Sequence, residues 1–168
     1  MSNVLFPTNV GMILTKELMK SLRKKFKDEN KKVVFTNGVF DLIHSGHVDY
    51  LNKAKSLGDI LIVGLNSDSS VKRIKGEKRP LVNQTERAFI LSNLKPVDFV
   101  VIFDEDTPFD LIKELIPDVL VKGADWSLEK IIGSDIVLAN KGEVKNIQFI
   151  NEQSTSKIIE TILSRYSD

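Results

Sequence analysis

The twenty residues from Lys32 to Leu51 constrain this chain more than any others. Val33, Val34 and Phe35 form a short β-branched and aromatic run that reads as a buried strand. Thr36, Asn37 and Gly38 break the run, and Gly38 permits a backbone turn that larger residues resist. Val39, Phe40 and Asp41 follow, then His44, Gly46 and His47, and a helical pattern continues through Val48, Leu51 and Ala54. A strand that turns at a glycine and restarts as a helix is a βα unit. In an open parallel sheet its junction lies at the carboxyl end of the strand, where ligands bind. The free N–H groups of the helix start favour an anion there.

The rest of the chain repeats the alternation. A helix is expected from Thr15 through Phe26, ending at Asp28-Glu29-Asn30, and a strand over 60–66 (ILIVGLN). A capped helix is predicted over Asn83–Leu94, a strand at FVVIF after Asp98, and a helix at PFDLIKELI capped by Thr107. DVLVKG after Pro117 reads as the next strand, Gly133 to Lys141 as a short helix, and NIQFI near 146–150 as the last strand. A final helix follows Ser154, Thr155 and Ser156. Alternating strands and helices predict an α/β fold, a doubly wound, mostly parallel five-stranded sheet with helices on both faces. One domain is expected over 1–168, with an N-terminal arm and helix in 1–31 and the core in 32–168.

Composition removes several classes of function. Twenty-four basic and 23 acidic residues leave a formal net charge of +1, so no global field points to nucleic acid or a membrane surface. There is no cysteine, hence no disulfide framework or thiol chemistry. The apolar runs are strand-sized, and MSNVLFPTNVG lacks the blocks of a secretion signal, so a cytoplasmic protein is expected.

The two histidines are the only ones in the chain, and their spacing of three places them side by side on a helical turn. With no cysteine and no third histidine they do not complete an all-protein metal site. Gly46 between them lets a phosphate approach the backbone. Asn66, Ser67 and Asp68 end the second strand, beside the first site. The segment VKRIKGEKRP, with Lys72, Arg73, Lys75, Lys78, Arg79 and a central Gly76, reads as a basic loop able to close over phosphates. Lys122 to Trp126 and Ser154 to Ser156 bring further polar groups to the same expected edge.

GVFDLIHSGHVDYL resembles the HxGH signature of the nucleotidyltransferase superfamily. With LGDILIVGLNSDSSVKRIKG, RPLVNQTERAFIL, FDEDTPFDLIKELIPDVLVKGADW and STSKIIE, the chain from about Ile13 onward resembles the bacterial D-glycero-β-D-manno-heptose 1-phosphate adenylyltransferases. Ser156 stands where that family usually has Thr. The resemblance implies a Rossmann-like fold and transfer of AMP from ATP to a sugar phosphate, with Mg2+ accompanying ATP. It implies a homodimer that uses neither nucleic acid nor membrane. His44, His47, Lys75 and Arg87 would be catalytic. Asn37, Gly38, Val39, Phe40, Gly46, Gly123 and Asp125 would line the nucleotide pocket, closed by Ser154, Thr155 and Ser156. Asp41, Asp68, Lys122 and Trp126 would face the substrate. Related readings are a cytidylyltransferase or FAD synthetase using the same motif, and a nucleotide sensor without transfer.

Overall fold

A computed structural model describes residues 11–123, 131–148 and 154–166. Six parallel strands form one sheet in the order β1-β4-β3-β2-β5-β6. They are β1 Met12–Leu14, β2 Val33–Gly38, β3 Ile60–Asn66, β4 Phe99–Phe103, β5 Val119–Gly123 and β6 Glu143–Ile147. The helices are α1 Lys16–Asp28, α2 Ser45–Lys55, α3 Asp68–Lys75, α4 Gln84–Ser92, α5 Phe109–Leu115, α6 Ser134–Ala139 and α7 Thr155–Tyr166.

The expected α/β sheet is present with one strand more than predicted. Residues 1–13 read as an arm, yet Met12, Ile13 and Leu14 pair in parallel with Phe99, Val100 and Val101. The last strand also starts three residues before the expected 146, at Glu143. In α5 the cap position is Pro108 rather than Thr107.

Strict alternation divides the interior. Val33, Phe35, Ile62, Phe99, Val101, Phe103 and Leu120 face one core with Met19 and Phe26 of α1, Leu111, Ile112 and Leu115 of α5 and Val137 of α6. Val34, Leu61, Val63, Leu65, Val100, Val119 and Val121 face the other, with Tyr50, Leu51 and Ala54 of α2 and Ala88 and Leu91 of α4. Strands buried on both faces are why these segments read as nearly continuous apolar runs. On α1, Met19 and Phe26 turn inward, while Leu18 is exposed. Arg23 is buried instead, its guanidinium donating to Leu115 O, Ile116 O and Asp118 Oδ1.

Because every pair is parallel, all strand ends reach one rim. The chain runs outward from β2 through β3 to β4 and then returns to place β5 on β2's other side. That reversal makes the β2–β5 gap the topological switch point, where open α/β sheets form their ligand crevice.

Candidate active site

β2 delivers its residues into this crevice at Gly38. Phe40 adopts a left-handed backbone (φ 47°), and its ring folds back over Gly38, where a Cβ would lie 2.9 Å from Phe40 Cε2. That ring is buried and packs at 5.2 Å, tilted, against His47. His44 and His47 lie face to face, with ring centroids 3.9 Å apart and 27° between planes. The spacing of three has placed them side by side.

Their setting has the features of an anion site. His44 is the N-cap of α2 but makes no side-chain cap bond, and α2 has no acidic residue in its first turn. By contrast α1, α3 and α4 are capped by Thr15, Ser67 and Asn83 and carry Glu17, Asp68 and Glu86 in their first turns. The first turn of α2 therefore supplies no carboxylate to offset its positive end. Nδ1 of His44 is buried with no hydrogen-bond partner among the described residues. Burial lowers the pKa of His44, and it lowers that of His47 to about 4. The neighbouring His44 adds to the His47 shift, and a hydrogen bond at the Leu42 backbone opposes it. Burial therefore disfavours the charged form of both imidazoles, most strongly at His47.

Beside the histidines lie two carboxylate–arginine contacts that engage expected site residues within the protein itself. Asp41 was assigned to substrate, but its side chain is 1% exposed and its oxygens are occupied. They accept from Arg79 Nε at 2.7 Å, from Leu81 N at 2.9 and 3.0 Å and from Val82 N at 2.9 Å. Arg87, expected among the catalytic residues, is completely buried and donates to Val82 O (2.8 Å), Val39 O (2.6 Å) and Asp68 Oδ1 (2.7 Å). These two residues tie the segment after β2 to the segment before α4. Asp68 is held by Arg87 through one oxygen and remains about one-third exposed.

The predicted basic loop is also revised. Val71 to Lys75 are helical, because Ser67 Oγ caps α3 by accepting from Ser70 N at 3.0 Å and Asp68 sits in its first turn. Lys75 is the exposed last residue of α3, and the irregular segment begins at Gly76 (φ 94°). The FDEDTP residues brace this helix. Ser67 and Ser69 hydroxyls donate to Asp104, Arg73 Nε donates to Asp106 at 2.6 Å, and Ser70 Oγ donates to Glu105 O at 2.9 Å.

On the other side of the crevice, β5 ends at Lys122 and Gly123. Lys122 is half-buried, and burial lowers its amine pKa to about 8. Asn37, at the end of β2, has a buried and unpartnered Oδ1. Ser154 Oγ accepts from Lys157 N at 3.2 Å, and Thr155 and Ser156 open α7. Like α2, α7 has no acid in its first turn. Asp125 and Trp126 lie outside the described residues. The structure thus joins Gly38, Val39, Phe40, Asp41, His44, His47, Asp68 and Arg87 around the α2 end. Asn37 and Lys122 stand at the switch point, and Lys75 stands exposed at the end of α3.

Arg79 was missed as Asp41's partner, as was the buried Thr36 Oγ1–Tyr50 hydroxyl bond of 2.7 Å that pins α2 to β2. The inward helical position of Tyr50, one turn beyond His47, was the available signal.

The sequence model of the family described as Cytidylyltransferase-like matches residues 35–162. Among curated proteins, the chain is 62% identical over 136 residues to the Bifunctional protein HldE of Citrifermentans bemidjiense, covering 81% of this chain and 28% of that one. It is 54% identical over 142 residues to the Bifunctional protein HldE of Geobacter sulfurreducens, covering 84% and 29%. The chain therefore spans under a third of the length of these relatives. Among solved structures, the lipopolysaccharide core biosynthesis protein from Thermoplasma volcanium has a TM-score of 0.59 at 28% identity, covering 73% of this chain and 99% of that one. A pantoate-β-alanine ligase from Francisella tularensis shares the fold alone, with a TM-score of 0.60 at 13% identity over 87% of this chain and 69% of that one.

Proposed function

The chain belongs to the cytidylyltransferase-like family, and from that membership we propose an adenylyltransferase acting on D-glycero-β-D-manno-heptose 1-phosphate. It moves AMP from ATP to the sugar phosphate, releases pyrophosphate and forms ADP-heptose for lipopolysaccharide or another surface glycan. The observation that carries the proposal is the stacked His44–His47 pair over a helix end with no side-chain cap bond and no acid in its first turn. The similarity to HldE proteins and to a lipopolysaccharide core biosynthesis protein supports the choice of sugar.

In this reading a phosphate oxygen of the acceptor attacks the α-phosphorus of ATP. The bond to the oxygen bridging to the β-phosphorus breaks, and that oxygen leaves with pyrophosphate. A phosphate monoester is already ionised near neutral pH, so no side chain needs to remove a proton. The chain's work is positioning and offsetting charge on the phosphoryl oxygens. His44 and His47, with the free N–H groups of α2, meet the nucleotide's phosphates. Lys75 adds charge from the end of α3, and Ser154, Thr155 and Ser156 add donors from α7. Arg87 and Asp41 act indirectly by fixing the backbone at Val39 and Val82. Among the described residues no three His, Asp or Glu side chains gather to hold a metal. Magnesium in this proposal arrives on the triphosphate, and no step is assigned to it.

The proposal includes a cytoplasmic homodimer; among the described residues no helix is long and apolar enough to cross a membrane. The test is pyrophosphate release with heptose 1-phosphate and either ATP or CTP. ATP should exceed CTP in kcat/KM by at least about tenfold, the scale set by one unpaired polar group in a base pocket. Equal use of the two, or preference for CTP, assigns the chain to cytidylyl transfer instead.

A further inference from the structure

Thr36 and Tyr50 carry hydroxyls in places where packing alone would be met by valine and phenylalanine. Thr36 follows Val33, Val34 and Phe35 in β2 and is wholly buried. By alternation it shares the face of Val34, against which α2 packs. Tyr50 lies on the inward side of α2 with Leu51 and Ala54 and is 4% exposed. The two hydroxyl oxygens are 2.7 Å apart, a hydrogen bond across the strand–helix interface. Replacing both partners of such a bond by apolar groups of the same shape is nearly neutral for stability. What the pair adds is direction: a hydrogen bond fixes a distance and an angle, whereas apolar packing is non-directional.

This bond acts one helical turn from the histidine pair. Tyr50 follows His47 by three residues, so the two share a helical face. Thr36 precedes Gly38 by two on a strand that is itself firmly held. β2 pairs with β3 from Val33↔Ile60 to Gly38↔Leu65 and with β5 on its other side. The first turn of α2 has no side-chain cap bond to hold it. At the far end of the helix Lys55 reaches Asp98 and Asp59 O, and Lys53 reaches Gln148 O. Those ties run through flexible, part-exposed lysine stems. Tyr50 instead joins a stiff, buried ring to the central strand. Across from it, the Phe40 ring stands 5.2 Å from His47.

Resting on the proposed transfer reaction, we infer that Tyr50 is a positioning residue: through Thr36 it fixes the height and rotation of α2, and with them the place of the stacked His44–His47 pair. Tyr50 acts through the helix and not on a substrate. A displacement of about 1 Å at a catalytic group can cost about a hundredfold in rate. The loss falls on turnover rather than affinity, because the histidines meet charge that develops as the α-phosphorus is attacked.

Tyr50→Phe, alone and combined with Thr36→Val, separates position from stability in the full chain. The double variant strands no hydroxyl, so its Tm should stay within about 3 °C of wild type, and it serves if the single variant does not fold. Its kcat should nevertheless fall at least about tenfold, with KM for ATP and for heptose 1-phosphate within about twofold of wild type. Nuclear magnetic resonance titration of the chain's two histidines gives a readout free of turnover. A loosened α2 exposes His47, so its midpoint should move up from about 4 toward 6.5 in both variants. Wild-type turnover in the double variant overturns the inference, since only the stranded hydroxyl then mattered. An unchanged His47 midpoint in a folded variant overturns it as well. If wild type releases no pyrophosphate, the transfer reaction falls, while a raised His47 midpoint in the double variant still supports the placement of the pair by Tyr50.

Discussion

Replacing Asp41 by Asn separates an anchoring carboxylate from a substrate ligand. The side chain is 1% exposed and receives donors from Arg79, Leu81 and Val82. Asparagine keeps one acceptor oxygen and turns an NH2 group toward these donors. A hydrogen bond to a charged group contributes about 1.5–3 kcal/mol, and an unpaired buried N–H costs about 1–3 kcal/mol. Removing one partner of a buried pair costs about 3–5 kcal/mol in all. For a chain of this length each kcal/mol lowers Tm by about 2–4 °C, so a fall of roughly 6–20 °C is expected. Thermal unfolding followed by circular dichroism at pH 7, together with KM for both substrates, makes the measurement. If Tm stays within about 2 °C while KM for the sugar phosphate climbs, Asp41 is a ligand and the anchoring role is wrong.

Three further outcomes are expected. His44→Ala and His47→Ala should each lower turnover about 10²- to 10³-fold at saturating substrate, as for loss of an oxyanion donor, with a smaller effect on ATP affinity; near-normal turnover removes that histidine from catalysis. Because His47 titrates near 4 when folded and near 6.5 when unfolded, the unfolded chain binds more protons between these values, so stability should rise with pH across that window. Discounted for partial exposure, the gain is on the order of 1–2 kcal/mol; urea unfolding of wild type and His47→Gln should show a shallower rise in the variant, and identical slopes contradict the burial argument. In hydrogen exchange, ATP–magnesium should alter protection at Gly76, Glu77 and Lys78, while the Leu81 and Val82 amides bonded to Asp41 stay protected throughout. Ligand-dependent exchange at Leu81 and Val82 would show that Asp41 does not anchor the segment.

The central βα unit was legible because its signals are local. An apolar run, a glycine and two histidines three apart lie within fifteen residues, and both the strand and the stacked rings follow from them. β1 was not legible, since three residues carry no period and pair only with a strand almost ninety residues away. α3 was hidden by its lysines and arginine, although Ser67 and Asp68 offered ordinary helix-start signals. The internal partners of Asp41 and Arg87 could not be read at all. Those of Asp41 lie 38 to 41 residues away and Val39 lies 48 from Arg87, and a carboxylate bound to backbone amides has the same letter as one bound to a sugar. Local pattern fixes which elements exist, while the use of a buried charge depends on which distant segment closes over it.

The acid-free first turns of α2 and α7 have a consequence for ionic strength. The other five helices, α1, α3, α4, α5 and α6, each place Glu or Asp in the first turn. With a net charge of only +1, the molecule as a whole attracts a polyanion weakly. In the proposed reaction the attraction is concentrated at these two helix ends, within a distance comparable to the Debye length of about 8 Å in physiological salt. Added salt should therefore leave the long-range approach of ATP nearly unchanged and act mainly on its final docking, where lost affinity emerges as faster release rather than slower capture.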